Sequence, residues 1–360
     1  MRNNTISIAK AFGIILMVIG HASCPTLLHN FIYQFHMPLF FFFSGYCFKD
    51  KYLDDFKTYS IRRVKGIYIP YVKYALLFLL LHNVFFHLNI YNDAYGYMGS
   101  VSQLYSHQDF IRRVIKITTS MSYEEQLLGG YWFMKILFIT SFLGYAFYKF
   151  LRSAKARYLG IGLLISGTVA LSFSEEFSEF WYSVYLSCHA AIYFIAGKEF
   201  SSLKIPQNWW FTLICLIGVI AISVIHPAPI GFTAQKYLLL YVIGALFGIL
   251  FTHNVSKHIQ KLPKVSQALT YIGNNTLTIL TWHFISFKLV SLLIIYIYKL
   301  PIEQLASFPV ITEYAKSGWW IAYTLIGVAL PICMLLLTEP VMKGIKEKVL
   351  SRKSVQEPQS

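Results

Sequence analysis

Charged residues are scarce in this sequence. Asp, Glu, Lys and Arg together make up only 13% of the 360 residues, whereas a typical soluble protein has roughly 25%. Hydrophobic residues reach 56%, and the mean hydropathy is +0.53. This composition excludes an ordinary soluble domain and indicates a polytopic membrane protein.

Cysteine is also sparse, and its spacing forms no motif. The five cysteines lie in or beside apolar runs, and neither a C-x-x-C pair nor a Cys/His metal pattern occurs. We therefore predict no metal site and interpret the cysteines as small apolar packing residues. The residues concerned are Cys24, Cys47, Cys188, Cys215 and Cys333.

Apolar runs are the most abundant feature that is present. Ten of them approach the roughly 20 residues needed to cross the hydrocarbon core of a bilayer. The predicted fold class is all-α, with about ten transmembrane helices. These helices are predicted near 5–22, 31–48, 67–87, 127–148, 158–174, 181–197, 209–225, 236–253, 271–297 and 318–338.

The basic residues are distributed unevenly between the two sets of connecting loops. With the N-terminus placed inside, the inner segments hold 21 of the 31 Lys and Arg residues, and the outer segments hold six. Cytoplasmic loops of membrane proteins carry such an excess, so both termini are predicted to be cytoplasmic. The net charge of +15 therefore requires no nucleic-acid partner.

The organisation along the chain is that of one membrane domain. Residues 1–350 are predicted to form it, and the basic, polar tail 351–360 is predicted to be cytoplasmic and disordered. The longest outer segment, 88–126, contains DFIRRVIKI, whose apolar residues lie on one face of a surface helix. The triplet Gly273-Asn274-Asn275 is predicted to break or delay the ninth span, and the acidic segment 175–180 is interpreted as solvated.

Three ionisable side chains interrupt the first two spans, namely Lys10, His21 and His36. A lysine at the centre of a spanning helix costs roughly 2.5–3.5 kcal/mol. Eleven residues separate Lys10 from His21, so both face the same side of one helix, roughly 16 Å apart along its axis. This pattern predicts a polar cavity beside the first helix, in which a histidine could act as a general base. The alternative is that both histidines are interfacial and bond only to the backbone.

The densest basic cluster, Arg62, Arg63 and Lys65, directly precedes the third span. It fits an ordinary topology signal, and it also fits a clamp for phosphate groups, because arginine binds phosphate oxygens strongly. A phosphate clamp at a cytoplasmic mouth would suit a nucleotide or coenzyme A. His189, within the sixth span, is interpreted as a core residue rather than a catalytic one.

Several of these stretches resemble the acyltransferase-3 family of bacterial integral-membrane O-acyltransferases, and most closely its sugar O-acetyltransferase branch of the fucose-acetylase type. The family's Arg or Lys followed after ten residues by His is matched by Lys10 and His21. Its phrase around the second helix is matched by FHMPLFFFFSGY, residues 35–46. The Arg-x-x-Arg before the third helix is met only as Arg-x-x-Lys, by Arg62 and Lys65.

Two further stretches extend this resemblance to nearly the whole chain. Trp132-Phe133 matches a Trp-Phe pair that opens a middle helix of the family. IGNNTLTILTWH matches a late pattern of glycine, polar residues and a distal histidine, which is His283 here. The family is expected to have ten helices.

The resemblance implies transfer of an acetyl group from cytoplasmic acetyl-CoA to a sugar hydroxyl. The acceptor would be a surface glycan or its lipid-linked precursor, at the bacterial inner membrane. His21 would be the base or a transient acetyl carrier, with His36 and His283 as further catalytic candidates. Lys10, Arg62, Arg63 and Lys65 would bind the cofactor. Trp132 would be a sugar-stacking platform or an interfacial anchor.

Two other functions fit the same apolar chain. Intramembrane Lys and His residues could bind substrate or relay protons in a transporter or a lipid-linked-sugar flippase. Transporters, however, often carry two matching halves, and no second copy of either N-terminal motif occurs in this sequence. A glycan polymerase is the third alternative, and it would need no coenzyme A.

Overall fold

A computed structural model describes residues 3–97, 101–122, 124–172, 178–203, 206–227, 230 and 237–356, and the side chains as far as 339. All regular elements among these residues are helical. Part of the predicted acidic segment 175–180 and the end of the predicted tail 351–360 lie outside the described residues. The last helix of the chain continues to Gln356 and so includes the first residues of the predicted tail. The disorder of the tail stays a prediction.

Fourteen α-helices follow one another along the described residues. The first seven are α1 (Asn4–His21), α2 (Thr26–Tyr46), α3 (Phe56–Arg63), α4 (Ile69–His87), α5 (His107–Ser120), α6 (Trp132–Phe150) and α7 (Ala154–Ser172). The others are α8 (Glu179–Phe200), α9 (Trp209–Ile225), α10 (Leu238–Ile259), α11 (Pro263–Asn274), α12 (Thr276–Tyr298), α13 (Thr312–Tyr314) and α14 (Trp320–Gln356).

Short 3₁₀-helical or π-helical segments extend several of these helices. A π-helical turn at Val64–Tyr68 joins α3 to α4, and another at Ala315–Trp319 joins α13 to α14. A 3₁₀ segment, Gln126–Tyr131, leads into α6. Two further 3₁₀ turns lie at Asp50–Leu53 and Ile302–Ala306.

Each of the ten predicted spans coincides with a helix, and the all-α prediction is confirmed for the described residues. Among those residues, six helical runs are long and apolar enough to cross a membrane, and the shorter α9 is also apolar. α2, α7 and α8 fall below that threshold, so the count of ten spans and the position of the termini stay predictions. The break expected at Gly273-Asn274-Asn275 is confirmed, because α11 ends at Asn274 and α12 begins at Thr276.

The outer surface of the bundle is apolar. α9 exposes large side chains on one side, with 58% of Ile217 and 70% of Ile225 accessible. Leu80 of α4 is 70% exposed and Leu337 of α14 is 76% exposed. A soluble protein rarely leaves such continuous apolar surface open to water. The surface therefore fits contact with lipid, and the chain is a multi-pass membrane protein.

Small residues allow a very close helix crossing, which joins α2 to α8. A Cβ added at Gly45 would collide with the backbone carbonyl of Phe194, and one added at Gly197 would collide with that of Phe42. The two glycines thus let the two backbones touch reciprocally, as small residues do between membrane helices. This crossing fixes α2, which lies along most of the cavity described below.

Candidate active site

A cavity of about 930 Å³ lies between the helices and is lined by α1, α2, α6, α8 and α12 together with the segments near residues 63–67 and 116–124. Its volume is at the upper end of the range of roughly 300–1,000 Å³ that is usual for ligand sites. Lys10 and His21 both line it. The predicted cavity beside the first helix is therefore present, although most of its wall is apolar.

One end of the cavity carries positive charge. Lys10, Cys47, Arg63 and Gly66 line it there, and Lys10, Arg63 and Lys49 all act electrostatically on the Cys47 thiol. We call this region the basic end. The guanidinium of Arg63 lies over the ring of Tyr59, 4.9 Å from its centroid, and this contact holds it beside the cavity.

The other end of the cavity carries charges of both signs. Among the described lining residues, Glu124 and Glu179 are the acidic ones, and both lie at this end, which we call the carboxylate end. Lys116 Nζ donates to Glu124 at 2.8 Å, and Lys135 Nζ donates to Glu179 at 3.2 Å. Both lysines that line this end are therefore paired with a carboxylate.

Two histidines from distant helices meet at the cavity wall. His21 Nδ1 lies 3.0 Å from His283 Nε2, and the two rings stack with centroids 5.2 Å apart. Phe284 stacks on the His21 ring as well, at 4.9 Å. His283 is fully buried within α12, whereas His21 ends α1 and lines the cavity.

The hydrogen bonds of His283 assign the tautomers of both rings. His283 Nδ1 lies 3.0 Å from the carbonyl oxygens of Ile279 and Leu280, and a carbonyl can only accept, so Nδ1 carries the hydrogen. The lone pair of neutral His283 is therefore on Nε2, and it accepts from His21 Nδ1–H. The lone pair of His21 is consequently on Nε2, where a ring that lines the cavity can accept a proton.

His36 is the third histidine at the cavity. Its side chain is buried, and its Nδ1 donates to the carbonyl oxygen of Ile32 at 2.8 Å. Its lone pair is therefore on Nε2. Tyr33, which also lines the cavity, packs edge-on against the ring at 4.9 Å. Among the described residues, no hydrogen bond joins His36 to a second histidine, in contrast to His21.

The structure separates the members of the predicted phosphate clamp. Arg63 lines the cavity, but Arg62 and Lys65 are exposed and do not line it. Arg62 instead donates to the hydroxyl of Tyr52 at 3.2 Å. Adjacent residues of a helix point about 100° apart, so Arg62 and Arg63 face different directions. The π-helical turn that begins at Val64 then changes the register before Lys65.

Trp132 lines the cavity at the start of α6, beside Phe133. His189 is buried away from the cavity, and its Nε2 lies 3.1 Å from the hydroxyl of Tyr193, as expected for a core residue. Glu124 was not among the predicted site residues, because it lies in a loop without periodicity. Ser44 and Cys47 were not predicted either, although their helical spacing from Tyr33 indicates the same face.

The chain matches a known family model over most of its length. A family model described as "Acyltransferase domain", that of the acyltransferase-3 family, matches residues 3–338. Neither the curated proteins nor the solved structures include a match. The matched range contains every helix that lines the cavity.

Proposed function

The chain belongs to the acyltransferase-3 family, and from that premise we propose that it transfers an acetyl group from acetyl-CoA to a hydroxyl of a cell-surface glycan or its lipid-linked precursor. The observation that carries this proposal is the His21–His283 pair, which places an imidazole lone pair between the two ends of one cavity. The expected location is the bacterial inner membrane, with the basic end facing the cytoplasm.

The basic end suits the donor. Coenzyme A carries phosphates at one end and the thioester at the other, joined by a long arm. Lys10 and Arg63 can bind the phosphates, and Lys10 lies roughly 16 Å from His21 along the helix axis. A donor anchored there by its charged end would extend its thioester toward His21. Arg62 and Lys65 would attract the donor from the exposed surface.

The chemical step follows from the tautomers. The acceptor hydroxyl loses its proton to His21 Nε2 as its oxygen attacks the thioester carbonyl carbon. His21 then carries a positive charge, and its Nδ1–H continues to donate to the lone pair of His283. Collapse of the tetrahedral intermediate breaks the C–S bond, the sulfur takes the proton from His21, and the products are an ester and free coenzyme A.

Purified protein tests this proposal directly. Release of coenzyme A thiol from acetyl-CoA should require both the protein and a glycan acceptor, and mass spectrometry should find one added acetyl group on the acceptor. Coenzyme A should also protect Cys47 at the basic end from alkylation by a maleimide. A flippase or a polymerase would release no thiol, so glycan-dependent activity without thiol release would refute the proposal.

A further inference from the structure

Glu124 differs from an ordinary surface carboxylate in how firmly it is held. Arg113 Nη1 and Lys116 Nζ donate to its two oxygens. The side chain of Arg113 is only 4% exposed, whereas that of Glu124 is 22% exposed and lines the cavity. A buried cation thus fixes a carboxylate at the wall of the candidate active site.

A buried stack holds Arg113 in turn. Its guanidinium lies 3.8 Å from the ring centroid of Tyr105, and the Tyr105 ring stacks on His82 at 3.3 Å. His82 Nδ1 lies 3.1 Å from the carboxylate of Glu125, and its Nε2 donates to the carbonyl of Gln103. Glu124 and Glu125 are therefore anchored on opposite ends of one stack. Buried ionic groups are costly in membrane proteins and usually serve function.

We propose that Glu124 binds the hydroxyl groups of the acceptor and selects a neutral, polyhydroxylated sugar, with Arg113 as its positioning residue. This inference rests on the proposed acetyl transfer and names the acceptor class for the same cavity. The two oxygens of one carboxylate can accept hydrogen bonds from two adjacent hydroxyls. An anionic acceptor would lose its hydration in the cavity and would have to compete with Glu124 and Glu179 for the cations beside them.

The surroundings of Glu124 fit a sugar ring. Trp132, Tyr33 and Tyr182 line the cavity together with it, and their apolar ring faces can pack against the C–H faces of a sugar. The cations at this end are already paired, since Lys116 and Arg113 bond Glu124 and Lys135 bonds Glu179. All three cations therefore already bond a carboxylate, and a phosphorylated or uronic acid acceptor would have to displace Glu124 or Glu179 to pair with one of them.

The test uses the full-length protein in detergent, acetyl-CoA, and a panel of methyl glycosides of neutral hexoses and 6-deoxyhexoses with the matched uronic acids. The wild type should acetylate a neutral glycoside and discriminate against its uronic counterpart. In Glu124→Gln, the acceptor KM should rise about tenfold, as for loss of one charge-assisted hydrogen bond. The neutral-to-anionic preference should shrink, and the KM for acetyl-CoA should stay unchanged.

Two further variants keep the test decisive if Glu124→Gln folds poorly. Glu124→Asp retains the charge but withdraws the carboxylate, so the acceptor KM should rise while the preference for neutral glycosides persists. Arg113→Lys should also raise the acceptor KM. Its matched control is Arg112→Lys, since the Arg112 side chain is 60% exposed and pairs with Asp109. Hydrogen bonds from Ser106 lower the pKa of Asp109, which keeps that outer pair ionised in both proteins.

The outcomes separate this inference from the proposed function. An unchanged preference and acceptor KM in Glu124→Gln, or equal effects of Arg112→Lys and Arg113→Lys, would overturn the role of Glu124 while acetyl transfer stands. Transfer to uronic acids in preference to neutral glycosides would do the same. The absence of any thiol release from acetyl-CoA with every acceptor would remove the proposed function, and this inference with it.

Discussion

The two ends of the cavity differ in how they hold charge. At the basic end, Lys10 and Arg63 line the wall, and no carboxylate lines it among the described residues. At the carboxylate end, Glu124 and Glu179 are each bonded to a cation. The first arrangement attracts an anion, whereas the second offers hydrogen-bond acceptors and holds Arg113, Lys116 and Lys135 in bonds to carboxylates. One cavity thus has two chemically unlike ends.

The largest effect is expected from replacing His21, the proposed general base. His21→Ala and His21→Gln should both lower the rate of acetyl transfer by about 10²–10⁴, the usual cost of losing a general base. Neither glutamine nor alanine accepts a proton at neutral pH. The measurement is acetyl transfer per mole of monodisperse protein, with protection of Cys47 by coenzyme A as the control for binding. A Gln variant near the wild-type rate would assign the base to His36 or His283.

A smaller loss of rate is expected when His283, the hydrogen-bond partner of His21, is replaced. His283→Phe removes the lone pair that fixes the His21 tautomer, so the rate should fall toward the lower end of the roughly 10²–10⁴ range. The KM values of both substrates should change little. His189→Phe replaces another buried histidine, one that does not line the cavity, and its folded fraction should stay active. Equal rates for the two variants would contradict the positioning role.

The two ends of the cavity also keep their positions only if α2 stays fixed, because Tyr33 lies in its first half and Cys47 directly follows its last residue. Gly197→Ala should destabilise the protein by about 1–3 kcal/mol, because a methyl group would be forced into the backbone of α2. Gly162→Ala in α7 meets open space and should be neutral or slightly stabilising. Thermal unfolding in detergent measures both. Equal melting temperatures would show that the crossing is not closely packed.

The basic end is tested by a matched arginine pair. Arg63→Ala should raise the apparent KM for acetyl-CoA about tenfold. This factor corresponds to the low end of the free energy contributed by a hydrogen bond to a charged group, as expected at a partly exposed site. Arg62→Ala, whose side chain bonds Tyr52 instead, should change it less than about threefold, since exposed ion contacts contribute little. If Arg62 has the greater effect, the phosphates bind outside the cavity.

The smallest perturbation is a cysteine label, which shows which end of the cavity faces the cytoplasm. Gln108 and Lys57 are exposed on segments predicted to lie on opposite sides of the membrane. In a background lacking the exposed Cys47 and Cys333, Gln108→Cys should react with an impermeant maleimide in intact cells. Lys57→Cys should react only after permeabilisation. The reverse pattern would place the basic end outside and exclude cytoplasmic coenzyme A as its ligand.

The sequence by itself determined the local structure of this protein. Apolar run length located ten helices, Gly273-Asn274-Asn275 located the break before α12, and the helical period placed Lys10 and His21 on one face. These features could be predicted because each depends on hydrogen bonds and side-chain spacing within a few turns of one helix.

Only the tertiary structure decided how those helices form a site. The bond between His21 and His283 joins residues 262 positions apart, and it sets the tautomer of the candidate base. Likewise, only packing shows that Arg63 reaches the cavity while Arg62 does not, and that Arg113 fixes Glu124. Which helix faces meet depends on close backbone contacts such as those at Gly45 and Gly197, because lipid-facing and protein-facing sides are equally apolar and periodicity cannot distinguish them.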